Sequence, residues 1–149
     1  MAEGHIVRAE GSGPFFFMAS GRENGGRLDL FVIDVAYRLG PPLHTHTTQE
    51  DSFYVIDGVL TVQLSDDVVE VSPGEFVTAP PGVAHTFTNA RPDQSVRVVN
   101  VMTPGIGFDS YIKQVNAPGG VGSEAVAKLN QEYGVEMVGP SLAGKLGLS

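Results

Sequence analysis

One short stretch of this chain is crowded with side chains that can bind a metal or move a proton. In "HTHTTQEDSFYVIDG", residues 44–58, His44 and His46 are separated by one residue, and Glu50 and Asp51 stand side by side. The whole chain has four histidines, so two of them fall here. Side chains of a strand alternate between its faces. His44 and His46 therefore point the same way and can share one ion. Glu50 and Asp51 are adjacent and point to opposite faces, so only one of them can join the histidines. A third histidine, His85, lies in "PPGVAHTFTN". Three imidazoles and a carboxylate suit one divalent transition metal ion, Fe, Mn, Ni, Co or Zn, and leave positions open for a substrate. His5 reads as an exposed N-terminal residue.

These residues need strands to carry them. "FFFMAS", residues 15–20, reads as a short strand, and Asn24-Gly25 as a hairpin turn signal. "LDLFVIDVAYR", residues 28–38, has the β-branched and aromatic content of a strand. Pro41 and Pro42 cannot donate to a ladder and mark a loop or edge entering the histidine segment. Further strands are expected at "SFYVIDG", "VLTVQL", "VVEV", "FVTA", "HTFTNA" and "SVRVVNVMT", with turn residues between them. Short strands at this spacing predict a sandwich or barrel. Near the end, "SEAVAKLNQEYG", residues 123–134, predicts a helix with Ser123 as N-cap and Gly134 as its stop. A short turn of helix is possible over residues 108–115. The final "GPSLAGKLGLS" is expected to be extended or partly disordered.

Composition narrows the function classes. The chain has 149 residues, enough for one domain with a real core. Nineteen glycines and ten prolines are spread along it, which favours short strands and tight turns. The net charge of −8 and the lack of a basic stripe argue against nucleic acid. There is no cysteine, so any metal must be held by imidazole and carboxylate. "PFFFMA" is too short to span a bilayer, and no signal peptide is evident, so a soluble cytoplasmic protein without membrane partners is expected.

The two motifs resemble those of the cupin superfamily. The first cupin motif reads G-x5-H-x-H-x3,4-E-x6-G, and residues 44–58 supply His44, His46, an acid and Gly58. The second reads G-x5-P-x-G-x2-H-x3-N. "GEFVTAPPGVAHTFTN" matches it at every spacing through Gly74, Pro80, Gly82, His85 and Asn89. Two departures stand out. Gly40 precedes His44 by fewer residues than the family's first glycine does. Asp51 stands six residues before Gly58, where the family has glutamate, while Glu50 meets only the shorter spacing from His46. The resemblance takes Asp51 as the aligned acid, because Gly58 sets the strand phase. It thus implies His44, His46, Asp51 and His85 as metal ligands.

The implied fold is all-β: a single cupin β-barrel, a double-stranded β-helix or jelly roll, with a short C-terminal helix. One domain is expected over residues 1–149. Within it, 1–27 form an N-terminal arm and strand, with residues 1–13 a loose arm or an exchanged strand, 28–105 the barrel core, and 106–149 a helical segment and tail. With Asp51 inward, Phe53, Val55 and Phe87 should wall an apolar cavity, and Tyr54 and Ile56 should face outward. Asn89 should close the turn after His85. The tail "EYGVEMVGPSL" is similar to that of quercetin-dioxygenase-like single-domain cupins. The resemblance therefore implies a metal-dependent oxygenase, dioxygenase-like, acting on a small enolic, phenolic or flavonoid-type substrate. Asp51 would be its catalytic acid–base group as well as a ligand. A non-redox isomerase or decarboxylase, or a non-catalytic small-molecule binding module, are the alternatives. A homodimer is the expected assembly.

Overall fold

A computed structural model describes residues 6, 7 and 10–149 of the chain, and His5 lies outside them. The elements in order are β1 (Glu10–Ser12), β2 (Phe15–Ala19), β3 (Asp29–Val35), β4 (Pro42–His46), β5 (Glu50–Asp57), β6 (Leu60–Leu64), β7 (Asp67–Val71), β8 (Phe76–Ala79), β9 (His85–Thr88) and β10 (Val96–Thr103), then α1 (Phe108–Val115), α2 (Ser123–Tyr133), β11 (Val135–Ser141) and α3 (Leu142–Lys145). A period of two sets the phase of the central strands. In β3 and β10 the alternate residues Phe31, Ile33, Val35 and Val96, Val98, Met102 are buried. Each such apolar side chain stabilises the fold by roughly 1.5–3 kcal/mol relative to exposure.

The strands form two antiparallel sheets. One has the order β1-β2-β3-β10-β5-β8 and the other β11-β4-β9-β6-β7. Their inner faces share one core, with Phe31, Ile33 and Val98 from the first packed with Leu60, Val62 and Phe87 from the second. The expected barrel is thus a flattened jelly roll whose two sheets remain separate at their edges. Val55 is completely buried, while Tyr54 and Ile56 on the opposite face of β5 are exposed, as the alternation requires. Asn89 closes the turn beyond β9. Its Nδ2 donates to the carbonyls of Val35 and Gln94, each at 3.2 Å, and its Oδ1 accepts from Arg91 N at 2.9 Å.

Several local expectations are corrected. Asn24-Gly25 does not make a tight hairpin. It lies within a longer loop, where the Asn24 side chain bonds Leu28 O at 2.8 Å and accepts from Arg27 N at 3.0 Å. Pro42 opens β4 instead of staying in the loop before it, a position that asks no donor of it. Ser123 is the first residue of α2 and not its cap. Gly122 holds the cap position without a side-chain bond, and Gly134 ends the helix in the left-handed conformation as expected. The turn of helix at residues 108–115 is a full helix. The tail is ordered: β11 pairs with β4 through Val135↔His46 and Met137↔His44, and α3 follows. A bare β4 edge would leave ladder groups unpaired beside the histidines, and β11 covers it. Leu142 at the start of α3 is completely buried, which anchors the end of the chain. Among the described residues, no helix is long and apolar enough to cross a membrane.

Candidate metal centre and cavity

In β4, His44 and His46 are buried on the inner face, and Leu43 and Thr45 between and before them are half-buried on the other. His44 Nδ1 lies 2.8 Å from Pro42 O, and His85 Nδ1 lies 2.9 Å from Val83 O. A ring nitrogen facing a carbonyl must carry its proton. These bonds therefore turn Nε2 of both rings toward the centre. The fold closes the gap between the motifs by pairing His44 directly with His85 across β4 and β9.

The phase of β5 decides which acid faces the histidines. Asp51, Ser52 and Phe53 follow one another, and Asp51 and Phe53 face inward. The Glu50 carboxylate points the other way and accepts a hydrogen bond from Thr78 Oγ1 at 2.6 Å. Asp51 Oδ2 lies 2.9 Å from His85 Nε2 and 3.3 Å from His46 Nε2. One ligand atom from each of His44, His46, Asp51 and His85 can be chosen so that all lie within 4.8 Å of one another. Donors at metal–ligand distances of about 2.0–2.2 Å around one ion fall within this span. The strongest sign of fit is His46. Both of its ring nitrogens are buried without a hydrogen-bond partner. Buried polar atoms without partners are costly, and an ion held by Nε2 would relieve one of them. The four residues thus fit a divalent metal, and their neutral imidazoles and hard oxygen do not select among the transition ions.

The protein's own electrostatics prepare these donors. Burial, followed by the charges of His85 and His46, pushes His44 down to about 4, so it is neutral near pH 7. Burial opposes the Asp51 carboxylate, but the close approach of His46 and the hydrogen bond with His85 outweigh this and hold it well below the usual carboxylate range. For His85, burial lowers the value, and the hydrogen bond and charge of Asp51 raise it above the ordinary one. The Asp51 carboxylate thus favours the charged form of His85 beside a neutral His44 ring. A dication would take the place of the His85 proton.

Three of the four, His44, His46 and Asp51, line a cavity of about 470 Å³. Phe53 and Phe87 stand in its wall as expected, with ring centroids 5.1 Å apart, whereas Val55 lies in the core away from the cavity. The side of the cavity over His46 comes from α1. Phe108 sits edge-on to His46 at 5.4 Å and stacks on Tyr111 at 4.6 Å, and Ile112 adds to the same wall. No lysine or arginine lines the cavity among the described residues.

Three contributors were not foreseen from sequence. Asn100, buried on the inner face of β10, donates from Nδ2 to Asp51 Oδ1 at 2.6 Å and to Ser52 O at 3.0 Å. A lone amide on the apolar face of "VRVVNVMT" is the signal that could have found it. Asp29 at the start of β3 is completely buried. It accepts from the backbone N–H groups of Gly21, Ile106, Gly107 and Phe108 at 2.7–3.1 Å, which caps α1 from a distant strand. Gln49, in the loop between His46 and Asp51, donates to Asp29 Oδ2 at 3.1 Å and to Pro104 O at 2.9 Å. Nothing in the sequence near Asp29 announces partners this far away in the chain.

A family model described as Cupin domain matches residues 31–102. No curated protein matches the sequence. Among solved structures, KdgF from Halomonas sp. is similar with a TM-score of 0.57 and 18% identity, covering 70% of this chain and 96% of that one. An uncharacterized conserved protein with a double-stranded β-helix domain from Klebsiella pneumoniae gives 0.54 and 21%, covering 68% and 86%. A predicted oxalate decarboxylase from Thermotoga maritima gives 0.55 and 13%, covering 59% and 76%. At these identities the likeness establishes the cupin fold and not the reaction.

Proposed function

We propose that this chain, matched by the Cupin domain model over residues 31–102, is a metal-dependent oxygenase of the quercetin-dioxygenase-like kind, acting on a small enolic or phenolic substrate. The observation that carries this reading is the pairing of a three-histidine, one-aspartate cluster with an apolar cavity free of cationic side chains among its described residues. A bound divalent ion would supply Lewis acidity, lowering the pKa of a coordinated hydroxyl, and a route to dioxygen. His44, His46, Asp51 and His85 would hold it.

The rest falls to the chain's own residues. Phe53, Phe87 and Phe108 offer flat apolar surfaces to an aromatic or conjugated substrate and exclude bulk water. Asp51 is the carboxylate among the described residues that line the cavity. It would serve in turn as ligand and as acceptor for the proton of the substrate hydroxyl, both through Oδ2, the oxygen not bonded to Asn100. A multiply charged acid such as oxalate, which the Thermotoga neighbour's name suggests for that protein, would enter this cavity without a counter-charge beyond the ion. The net charge of −8 would oppose its approach as well.

The test is oxygen consumption by protein reconstituted in turn with Fe(II), Mn(II), Ni(II), Co(II) and Zn(II), using flavonol, catechol and enolic diketone substrates. Uptake that requires the metal and is lost in His46→Ala supports the oxygenase. Turnover that proceeds equally without oxygen would establish the non-redox isomerase or decarboxylase. Tight binding of these compounds with no turnover under any metal would leave a binding module.

A further inference from the structure

We propose that Asn100 is a positioning residue for Asp51, holding this short carboxylate as a ligand through one oxygen only. The inference rests on the metal reading of the cluster and not on the oxygenase reaction. Aspartate is one methylene shorter than the glutamate of the cupin motif, so its reach and rotation must be set by its surroundings. The registers supply the means. Asp51 pairs with Met102 and Phe53 pairs with Asn100 across β5 and β10, so the Asn100 and Asp51 side chains are diagonal neighbours on the inner face. The Asn100 amide is fixed by two acceptors, Asp51 Oδ1 at 2.6 Å and Ser52 O at 3.0 Å. Oδ1 is thereby occupied, and Oδ2 is turned to His46 and His85.

The choice of side chain matters. An arginine or lysine here would also bind Oδ1, but its charge would offset the carboxylate and repel a dication. An amide orients the ligand and leaves its charge intact. With Oδ1 held, Asp51 cannot chelate through both oxygens, and a coordination position that a bidentate carboxylate would fill stays open to substrate. Hydrogen-bonding partners behind metal ligands act in this way generally, and their loss typically weakens metal binding by about 10–100-fold.

The experiment uses Co(II), whose visible bands report coordination number and ligand field. Asn100→Ala and the closer-sized Asn100→Leu should bind Co(II) about 10–100-fold more weakly than wild type, with shifted bands. In an Asp51→Ala background, Asn100→Leu should change the affinity by less than about twofold, because the effect runs through Asp51. In wild-type protein, the Asn100 side-chain amide protons should be shifted downfield in NMR and slow to exchange. Unchanged affinity and bands in either folded variant would overturn the proposal, as would an equal loss without Asp51. Ordinary, rapidly exchanging Asn100 amide protons would overturn it even if neither variant folded. Failure of wild type to bind Co(II) would overturn it together with the metal reading. Cobalt binding that ignores Asn100 would overturn this inference alone.

Discussion

His44 and His85 are direct partners across β4 and β9, with ring centroids 4.5 Å apart. Among the described residues, β4 and β9 pair at this one position. The two sequence motifs therefore meet at the candidate metal centre. Their separation along the chain carries no weight once the sheet has formed.

Ligand variants should follow the geometry and not the proximity of acids in sequence. His46→Ala and His85→Ala should each leave little metal after reconstitution and dialysis. Asp51→Ala should lower metal content far more than Glu50→Ala, whose carboxylate is bonded to Thr78 on the opposite face. Elemental analysis of the purified variants checks this. The reverse order for the two acids would mean the β5 phase is wrong.

Metal should also stabilise the fold. An ion held by this cluster would find it assembled only in the native state, so free metal at about one hundred times its Kd should add about 2.7 kcal/mol. Urea unfolding with and without metal, each against a chelated control, gives the increment. His46→Ala should abolish it while leaving a cooperative transition.

Asp29 should matter to stability as much as any core side chain. Its carboxylate collects four backbone N–H groups that would otherwise be left without partners near the start of α1. Asp29→Ala should cost at least about 3 kcal/mol, from several buried donors left unsatisfied. The loss should be accompanied by faster amide exchange at residues 106–108. A urea midpoint within error of wild type would refute the clamp.

The acid limb of stability should involve Asp109. Burial raises its pKa, but hydrogen bonds from Ser20 and Arg22 and the charges of Arg22 and Lys113 bring it below the ordinary 3.8. A carboxyl with a depressed folded-state value contributes stability above its unfolded pKa and loses it as pH falls through the folded value. Asp109→Asn should therefore be less stable than wild type at pH 7. The gap should close as pH drops below about 3.8, the ordinary value. Chemical unfolding between pH 3 and pH 7 tests this, and a gap independent of pH would contradict it.

Two motif glycines should differ in tolerance. Gly58 has φ +72, and a Cβ there would run into Ser95 O and the Val96 side chain. Gly74 has φ +86 with open space around it. Gly74→Ala should cost only the conformational penalty, about 1–2 kcal/mol. Gly58→Ala should cost clearly more, because backbone must move, and thermal melts of the two variants would rank them.

The sequence by itself determined most of the strands between residues 15 and 103, the shared face of His44 and His46, and the outward face of Tyr54 and Ile56. These follow from local rules: alternation across a pleat, turn residues at strand ends, and the fixed spacing of the second motif. The phase set by Gly58 also indicated Asp51 over Glu50, and the geometry agrees. What the tertiary structure alone decided lies in pairings between distant segments. Asn100 reaches Asp51 because β10 lies beside β5. Asp29 caps α1 because the start of β3 abuts the 104–108 turn. The tail becomes β11 because the edge of β4 needs a ladder partner. Such contacts depend on which strand stands next to which, and no local period records that.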